Sequence, residues 1–204
     1  YAWSFAHSVR VDRHDNIWPT DKGSNVVVRF NPQGRVTLVL GRKAEASDED
    51  AHPLAHPTPP LPPVDGLFRQ VTDVAWDSDD NIYITDGYIN SRIARYDRDG
   101  NWVGSFGEPG TGPGQFNTPH SIVIDRDNRL YVADRNNRRI QVLDTAGHVL
   151  RIIHIDALEL TACRPTHCTR TAQIGGVRVA HVERHKGKLR AGFQAATRAL
   201  FDAR

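Results

Sequence analysis

The chain has 204 residues, which is long enough to bury one sizeable hydrophobic core. Its 26 basic and 24 acidic residues leave a formal net charge of +2, too small for the broad positive field that sequence-independent nucleic-acid binding requires. No apolar run approaches the roughly 18 residues of a membrane span, so the composition argues against both a nucleic-acid partner and a membrane-spanning helix.

The first residue is Tyr1 and the chain contains no Met, which we interpret as a piece of a longer product. The two cysteines, Cys163 and Cys168, lie close together in the sequence "CRPTHC". This spacing is compatible with a local disulfide, with a weak metal clip, or with neither, and it does not decide among them.

Three segments share one pattern: an alternating apolar strand, an Asp, a polar turn, a second alternating strand, and a closing Asp nine residues after the first. They are "HSVRVDRHDNIWPTD" from residue 7, "TDVAWDSDDNIYITD" from residue 72 and "HSIVIDRDNRLYVAD" from residue 120. Two further apolar segments follow each of them. Alternation with a period of two predicts strands, and four strands recurring every 48 to 65 residues are typical of a β-propeller blade.

We therefore predict an all-β fold of the propeller type, with four-stranded blades at about 1–41, 67–107 and 117–155. Closed propellers have roughly 4 to 8 blades, so three blades do not complete a ring. Between the first two blades, the Pro-rich acidic stretch 42–66 is predicted to be an extended, solvated loop; a docking motif for another domain is the alternative.

The last segment, 156–204, lacks the blade pattern and is predicted to be a non-repeat tail with a helix near 188–203. Leu189, Phe193, Ala196 and Leu200 would share one face of that helix.

Repeat position suggests a candidate metal site. Equivalent positions in successive blades are related by rotation about the propeller axis, so residues at the start of the innermost strands converge on the central channel. His7 and His120 hold this position in blades one and three, and Thr72 holds it in blade two. A catalytic zinc requires three protein ligands and an open position, and a third His two blades further on falls near or beyond the last residue. From spacing alone, the two His are either metal ligands or channel-lining residues.

The loops after the second strands lie at the same end of the blades as these two His, because the first two strands are antiparallel. Tyr88 and Arg92 lie in or just after one such loop, and Arg135 begins another. A phenol beside two imidazoles and a metal is a candidate acid or base. An Arg at the same place can bind a carboxylate through two parallel N–H hydrogen bonds. The alternative is that these side chains only cover the blade edge.

The repeats, including "GTGPGQFNTPHSIVIDRDNRLYVADRNNRRIQVLDTAG", resemble the NHL repeat family of β-propellers over about three quarters of the chain. More narrowly, "AHSVRVD", "DGYINSRI", the "GEPGTGPGQFNTPHSIVI" stretch and "VADRNNRRIQ" resemble peptidyl-α-hydroxyglycine α-amidating lyases. The Tyr after "DG" and the Arg directly after "VAD" are the specific signals, because ordinary NHL blades do not require them.

The resemblance implies a six-bladed propeller that cleaves a C-terminal α-hydroxyglycine, in a peptide or small acyl-glycine-type substrate, to an amide and glyoxylate. It implies zinc bound by three His, and a structural calcium. Carried over by motif, His7 and His120 are zinc ligands, Val9 supplies a backbone carbonyl to calcium, Tyr88 is the catalytic Tyr, and Arg135 binds the substrate carboxylate. An extracytoplasmic or secreted location is also implied.

Several family features have no match. The second catalytic Arg of the family precedes the first blade present here, and the third zinc His and the calcium Asp follow the third. Ile89 stands where animal members have a Cys, which suggests a bacterial relative. Two other interpretations therefore stay open: a non-catalytic NHL propeller that binds a protein or glycan, and an inactive truncated or frame-shifted fragment.

Overall fold

The structure, a computed structural model, describes residues 3–43 and 58–155 and the backbone of two strands at 176–185 and 188–196. Every regular element in these ranges is a β-strand, which confirms the predicted all-β propeller fold. The chain divides into two compact units, Tyr1–Ala157 and Leu158–Arg204. No helix in the described ranges has the length and hydrophobicity to cross a membrane.

The first unit contains three four-stranded antiparallel sheets, each with its strands in chain order. The first sheet consists of β1 (Ala6–Val11), β2 (Ile17–Asp21), β3 (Val26–Phe30) and β4 (Val36–Gly41). The second consists of β5 (Asp73–Trp76), β6 (Ile82–Asp86), β7 (Arg92–Tyr96) and β8 (Trp102–Phe106). A short parallel pair, β9 (Glu108–Pro109) and β10 (Gln115–Phe116), precedes the third. The third consists of β11 (Pro119–Ile124), β12 (Leu130–Asp134), β13 (Arg139–Leu143) and β14 (Val149–His154).

The Asp that ends each first strand closes the turn to the second. Asp12, Asp77 and Asp125 each accept hydrogen bonds through Oδ1 from the backbone N–H groups two and four residues later. These bonds satisfy backbone N–H groups in the turn that have no partner in the hydrogen-bonded strands. The repeated Asp in the sequence is therefore a hairpin signal.

The closing Asp of each repeat fixes the chain that enters its own first strand. Asp21, Asp86 and Asp134 are fully buried, and each carboxylate accepts a backbone N–H from the segment before that strand. Burial alone would raise the pKa of Asp21, but hydrogen bonds from Ser24 and from backbone N–H groups hold it below its usual range. These contacts set where the side chains at the start of β1 and β11 point.

Two hydrophobic cores lie between neighbouring sheets. The core between the first two sheets includes Trp18, Val27, Phe68, Val74 and Ile84. The core between the second and third includes Tyr83, Ile93, Phe116, Ile122, Leu130 and Leu143. The inward-facing residues that produce the period-two pattern thus pack blade against blade, and this packing places the innermost strands side by side.

The helix predicted in the second unit is wrong over the residues that the structure describes. Residues 188–196 were expected to be helical, but Lys188–Ala196 forms strand β16, which pairs antiparallel with β15 (Gly176–His185). The apolar residues Leu189, Ala191, Phe193 and Ala195 also alternate with a period of two, so the sequence fits either element, and pairing with β15 decides for the strand. Residues 197–203 of the predicted helix, Cys163, Cys168 and residues 44–57 of the predicted loop lie outside the described residues.

Candidate active site

The starts of β1 and β11 bring the two predicted His together. The imidazole centroids of His7 and His120 are 4.7 Å apart. Thr72, which holds the same repeat position in blade two, lies between them. Its carbonyl oxygen accepts a 2.8 Å hydrogen bond from His7 Nδ1. Its hydroxyl, which also contacts Thr85, lies 2.9 Å from the Pro119 carbonyl oxygen, next to His120. The middle blade therefore orients the His7 imidazole and contacts the backbone at the start of β11.

The bond to Thr72 decides the tautomer of His7. A carbonyl oxygen can only accept, so His7 Nδ1 carries the proton and Nε2 presents its lone pair. Ring N–H donation to a backbone carbonyl is the usual arrangement behind a His that ligates a metal through its other nitrogen.

Tyr88 stands opposite the two imidazoles, in the loop after β6. Its hydroxyl oxygen lies 3.2 Å from His120 Nε2 and 3.5 Å from His7 Nε2. Both imidazole rings meet the phenol ring edge-on, with centroids 5.7 and 5.8 Å away. The sequence "DGY" explains the placement: a Cβ on Gly87 would lie 2.0 Å from the Pro119 carbonyl oxygen, so only glycine allows this loop to approach β11 so closely.

Two cations complete the cluster. Arg135 is exposed and places Nη1 3.4 Å from the Tyr88 hydroxyl. Lys22, which sequence reasoning missed, places Nζ 3.9 Å from the centroid of the Tyr88 ring. A signal for Lys22 was present, because it directly follows the closing Asp21 as Arg135 follows Asp134.

Burial and nearby cations keep His120 neutral. Burial is the main cause that lowers the pKa of His120 from 6.5 to about 4, and the neighbouring His7, Arg135 and Lys22 side chains lower it further. A metal ligand must be the neutral imidazole, so His120 has the required protonation state at neutral pH.

These residues fit a zinc ion in part. His7 and His120 offer nitrogen donors whose Nε2 atoms face the same phenol oxygen, and imidazole nitrogen is a preferred zinc donor. Residues 3–43 and 58–155 contain no group of three His, Cys, Asp or Glu placed to hold a metal. The described residues thus offer two imidazole nitrogens at this point, whereas a catalytic zinc requires three protein ligands.

Two other candidates lie apart from this cluster. Arg92 is 1% exposed and pairs with Asp86 at 3.0 Å, so it anchors the second blade and does not reach the candidate site. Val9 lies in β1 opposite Pro19, with an exposed side chain. A calcium ligand role for the Val9 carbonyl stays a prediction.

A family model described as a six-bladed β-propeller matches residues 64–169. The chain belongs to the six-bladed β-propellers. Three four-stranded blades of the propeller lie in the described part of the chain.

Comparison with individual proteins shows which propellers this chain resembles in sequence. Over 158 residues the chain is 34% identical to peptidyl-glycine alpha-amidating monooxygenase of Mus musculus, covering 72% of this chain and 15% of the relative. It is 31% identical over 139 residues to a probable peptidyl-alpha-hydroxyglycine alpha-amidating lyase of Caenorhabditis elegans, covering 66% of this chain and 35% of the relative.

NHL repeat-containing protein 3 of Mus musculus is 33% identical over 135 residues, with 63% of this chain and 35% of the relative covered. The resemblance to amidating and NHL repeat proteins is therefore confirmed, while the propeller spans well under half the length of these relatives.

Proposed function

We propose that this chain carries part of the active site of a zinc-dependent lyase that cleaves a C-terminal α-hydroxyglycine to an amide and glyoxylate. One observation carries the proposal: His7 Nε2, His120 Nε2 and Arg135 Nη1 all lie within 3.5 Å of the Tyr88 hydroxyl oxygen. The similarity to a C. elegans protein described as a probable amidating lyase supports the substrate class. A structural calcium on the Val9 carbonyl and action outside the cytoplasm belong to the same proposal.

His7 and His120 would hold the zinc through Nε2. When bound, zinc supplies a Lewis acid that favours loss of the proton from the substrate hydroxyl. The Thr72 carbonyl keeps the His7 proton on Nδ1, so the Nε2 lone pair stays available. The Thr72 hydroxyl also lies 2.9 Å from the Pro119 carbonyl oxygen, so the middle blade contacts the start of β11 directly before His120.

Tyr88 and Arg135 would act on the substrate directly. As the phenolate, Tyr88 Oη would take the hydroxyl proton, the C–O bond would become the C=O of glyoxylate, and the C–N bond would break with its electron pair left on nitrogen. The nitrogen would then take that proton from Tyr88 and leave as the amide, which returns Tyr88 to the phenolate. No water is consumed, so the reaction is an elimination and not a hydrolysis. Arg135 offers a guanidinium fork to the carboxylate that leaves as glyoxylate.

The direct test is turnover of α-hydroxyhippurate by the full chain, followed as release of benzamide and glyoxylate. Tyr88→Phe should lose at least ~100-fold in rate, as expected for a general acid–base residue, while its zinc content stays unchanged. Tyr131→Phe is the matched control, because Tyr131 bonds to Asp125 in the turn at the far end of β11 and β12. Zinc-independent turnover would refute the assignment.

The second candidate is a non-catalytic NHL propeller that binds a protein or glycan. The 33% identity to NHL repeat-containing protein 3, close to the values for the amidating relatives, favours it. Zinc binding without any glyoxylate release by the full chain would favour this candidate over the lyase.

A further inference from the structure

Lys22 and Arg135 hold equivalent positions in blades one and three. Each follows the closing Asp of its second strand, and that Asp pairs with the first strand next to the His: Asp21 with Ala6, and Asp134 with Pro119. Each of these two blades thus brings one imidazole and one cation to the same end of the sheet. Gly87, whose Cβ would collide with Pro119, holds the corresponding position in blade two.

The two cations approach Tyr88 at different points. Lys22 Nζ lies over the ring face, 3.9 Å from its centroid, while Arg135 Nη1 lies 3.4 Å from the hydroxyl. The backbone of Lys22 is held by a 3.0 Å hydrogen bond from its N–H to the Phe5 carbonyl, and Lys22 Nζ also lies 5.0 Å from the Phe5 ring centroid. The half-buried Lys22 ammonium is therefore directed over the phenol.

The acids nearest in sequence do not neutralise these cations. Asp21 accepts hydrogen bonds from Ser4, Phe5, Gly23 and Ser24. Asp134 accepts hydrogen bonds from Asn117, Asn137, Arg139 and Gln141. Across residues 3–43 and 58–155, neither Lys22 nor Arg135 forms an ion pair with a carboxylate.

An unneutralised pair of cations beside one phenol attracts an anion. The partly solvated contact between the Lys22 ammonium and the Tyr88 ring is weaker than a charge-assisted hydrogen bond to a carboxylate. A carboxylate entering between the two cations would therefore draw the ammonium away from the ring.

We propose that Lys22 is a second carboxylate-binding residue of this site and that, with Arg135, it restricts the ligand to one with a free α-hydroxy carboxylate. The inference rests on the proposed function only in taking this cluster as the substrate site. A substrate with an esterified or amidated carboxyl group would leave both cations unpaired and would be rejected.

The test uses ligands that cannot be cleaved. Mandelate has the hydroxyl and carboxylate of the substrate without its C–N bond, and mandelamide is its neutral analogue. Binding of each to the full chain is measured by titration calorimetry, with and without added zinc. The wild type should bind mandelate at least tenfold more tightly than mandelamide.

Lys22→Met should weaken mandelate binding about tenfold, the loss expected for one charge-assisted hydrogen bond, and leave mandelamide binding unchanged. That unchanged mandelamide binding shows that the site of the Met variant is folded. Lys22→Arg should retain most of the mandelate affinity, because it keeps the positive charge. Arg126→Gln removes an exposed cation from the turn at the far end of the third blade and should have no effect.

The outcomes separate this inference from the lyase proposal. Lys22-dependent mandelate binding without glyoxylate release would support the anion site and contradict the lyase. Lyase activity in which Lys22→Met lowers kcat with unchanged KM and unchanged mandelate affinity would show that Lys22 only orients Tyr88, and the inference would be wrong. Equal binding of mandelate and mandelamide by the wild type would also overturn it.

Discussion

Replacing Asp73 with Asn should destabilise the propeller, because this carboxylate joins the innermost strands of all three blades. Asp73, on β5, is 2% exposed. It accepts hydrogen bonds from Arg10 Nε and Nη2 on β1 at 2.8 and 2.6 Å, and from the Ser121 hydroxyl on β11 at 2.8 Å. In Asn, an NH2 group replaces one of the two carboxylate oxygens. This group cannot accept a hydrogen bond, so it would face either Arg10 or Ser121 with donor against donor.

The expected loss of unfolding free energy depends on how far Asp73 and Arg10 are buried. Removing one member of a fully buried ion pair costs about 3 to 5 kcal/mol. The Arg10 side chain is 38% exposed and can be rehydrated, so we expect Asp73→Asn to lower the free energy of unfolding by about 2 to 3 kcal/mol. For a chain of this size that corresponds to a Tm lower by roughly 4 to 12 °C.

The effect should depend on pH. Burial raises the pKa of Asp73, but the bonds from Arg10 and Ser121 outweigh it and hold the pKa below its usual range. The stabilisation is thus complete above the unfolded-state pKa of about 3.9 and is lost as pH falls through the lower folded-state value. Wild type and Asp73→Asn should therefore differ at neutral pH and converge in acid.

Thermal and urea unfolding at pH 7 and in the acid range measure both effects. Asp127→Asn is the matched control, because Asp127 is 71% exposed and its ion pair with Arg129 is solvated, so its loss should cost less than about 0.5 kcal/mol. Equal stability of Asp73→Asn and wild type at pH 7, or a difference that persists unchanged in strong acid, would refute the reasoning.

Two further predictions concern packing and ionisation. Gly87→Ala should lower the free energy of unfolding by about 1 to 3 kcal/mol, because its Cβ would lie 2.0 Å from the Pro119 carbonyl oxygen. Gly112→Ala, whose Cβ would meet only the flexible Gln115 side chain at 3.0 Å, should cost less, and equal urea midpoints for the two variants would contradict the prediction. Burial and the charge of Asp77 raise the pKa of Tyr83 to about 12, so stability should fall as pH rises above the unfolded-state value of about 10. Tyr83→Phe should leave the tyrosinate absorbance that appears between about pH 9 and 11 unchanged, and a decrease by one phenol would show that Tyr83 ionises normally.

The blades could be predicted from sequence because each strand has one face in a core between sheets. Burial of alternate residues such as Val74 and Ile84 leaves the period-two pattern. The closing Asp recurs because it accepts backbone N–H groups at the entry to each blade. Repeat position therefore predicts that His7, His120, Tyr88 and Arg135 lie at one end of the sheets.

Other features depend on contacts that local patterns do not encode. The helical spacing of Leu189 and Phe193 also fits an alternating strand, and only the pairing with β15, the strand directly before it in the sequence, decides between them. Arg92 resembles a site cation by position, but Asp86 six residues earlier holds it in the interior. The position of Lys22 after Asp21 can be read from the repeat, but its contact with the Tyr88 ring is visible only in the structure.

Zinc affinity tests most directly whether His7 and His120 bind one metal ion. Zinc binding by the full chain is measured by competition with a chelator for the wild type, His7→Ala, His120→Ala and His148→Ala. His148 is the matched control, since its side chain is 79% exposed and bonds to Asp144 in an outer turn. We expect His148→Ala to match the wild type, and each of the other variants to lose at least about tenfold in affinity. Zinc bound as tightly by His7→Ala and His120→Ala as by the wild type would contradict the account.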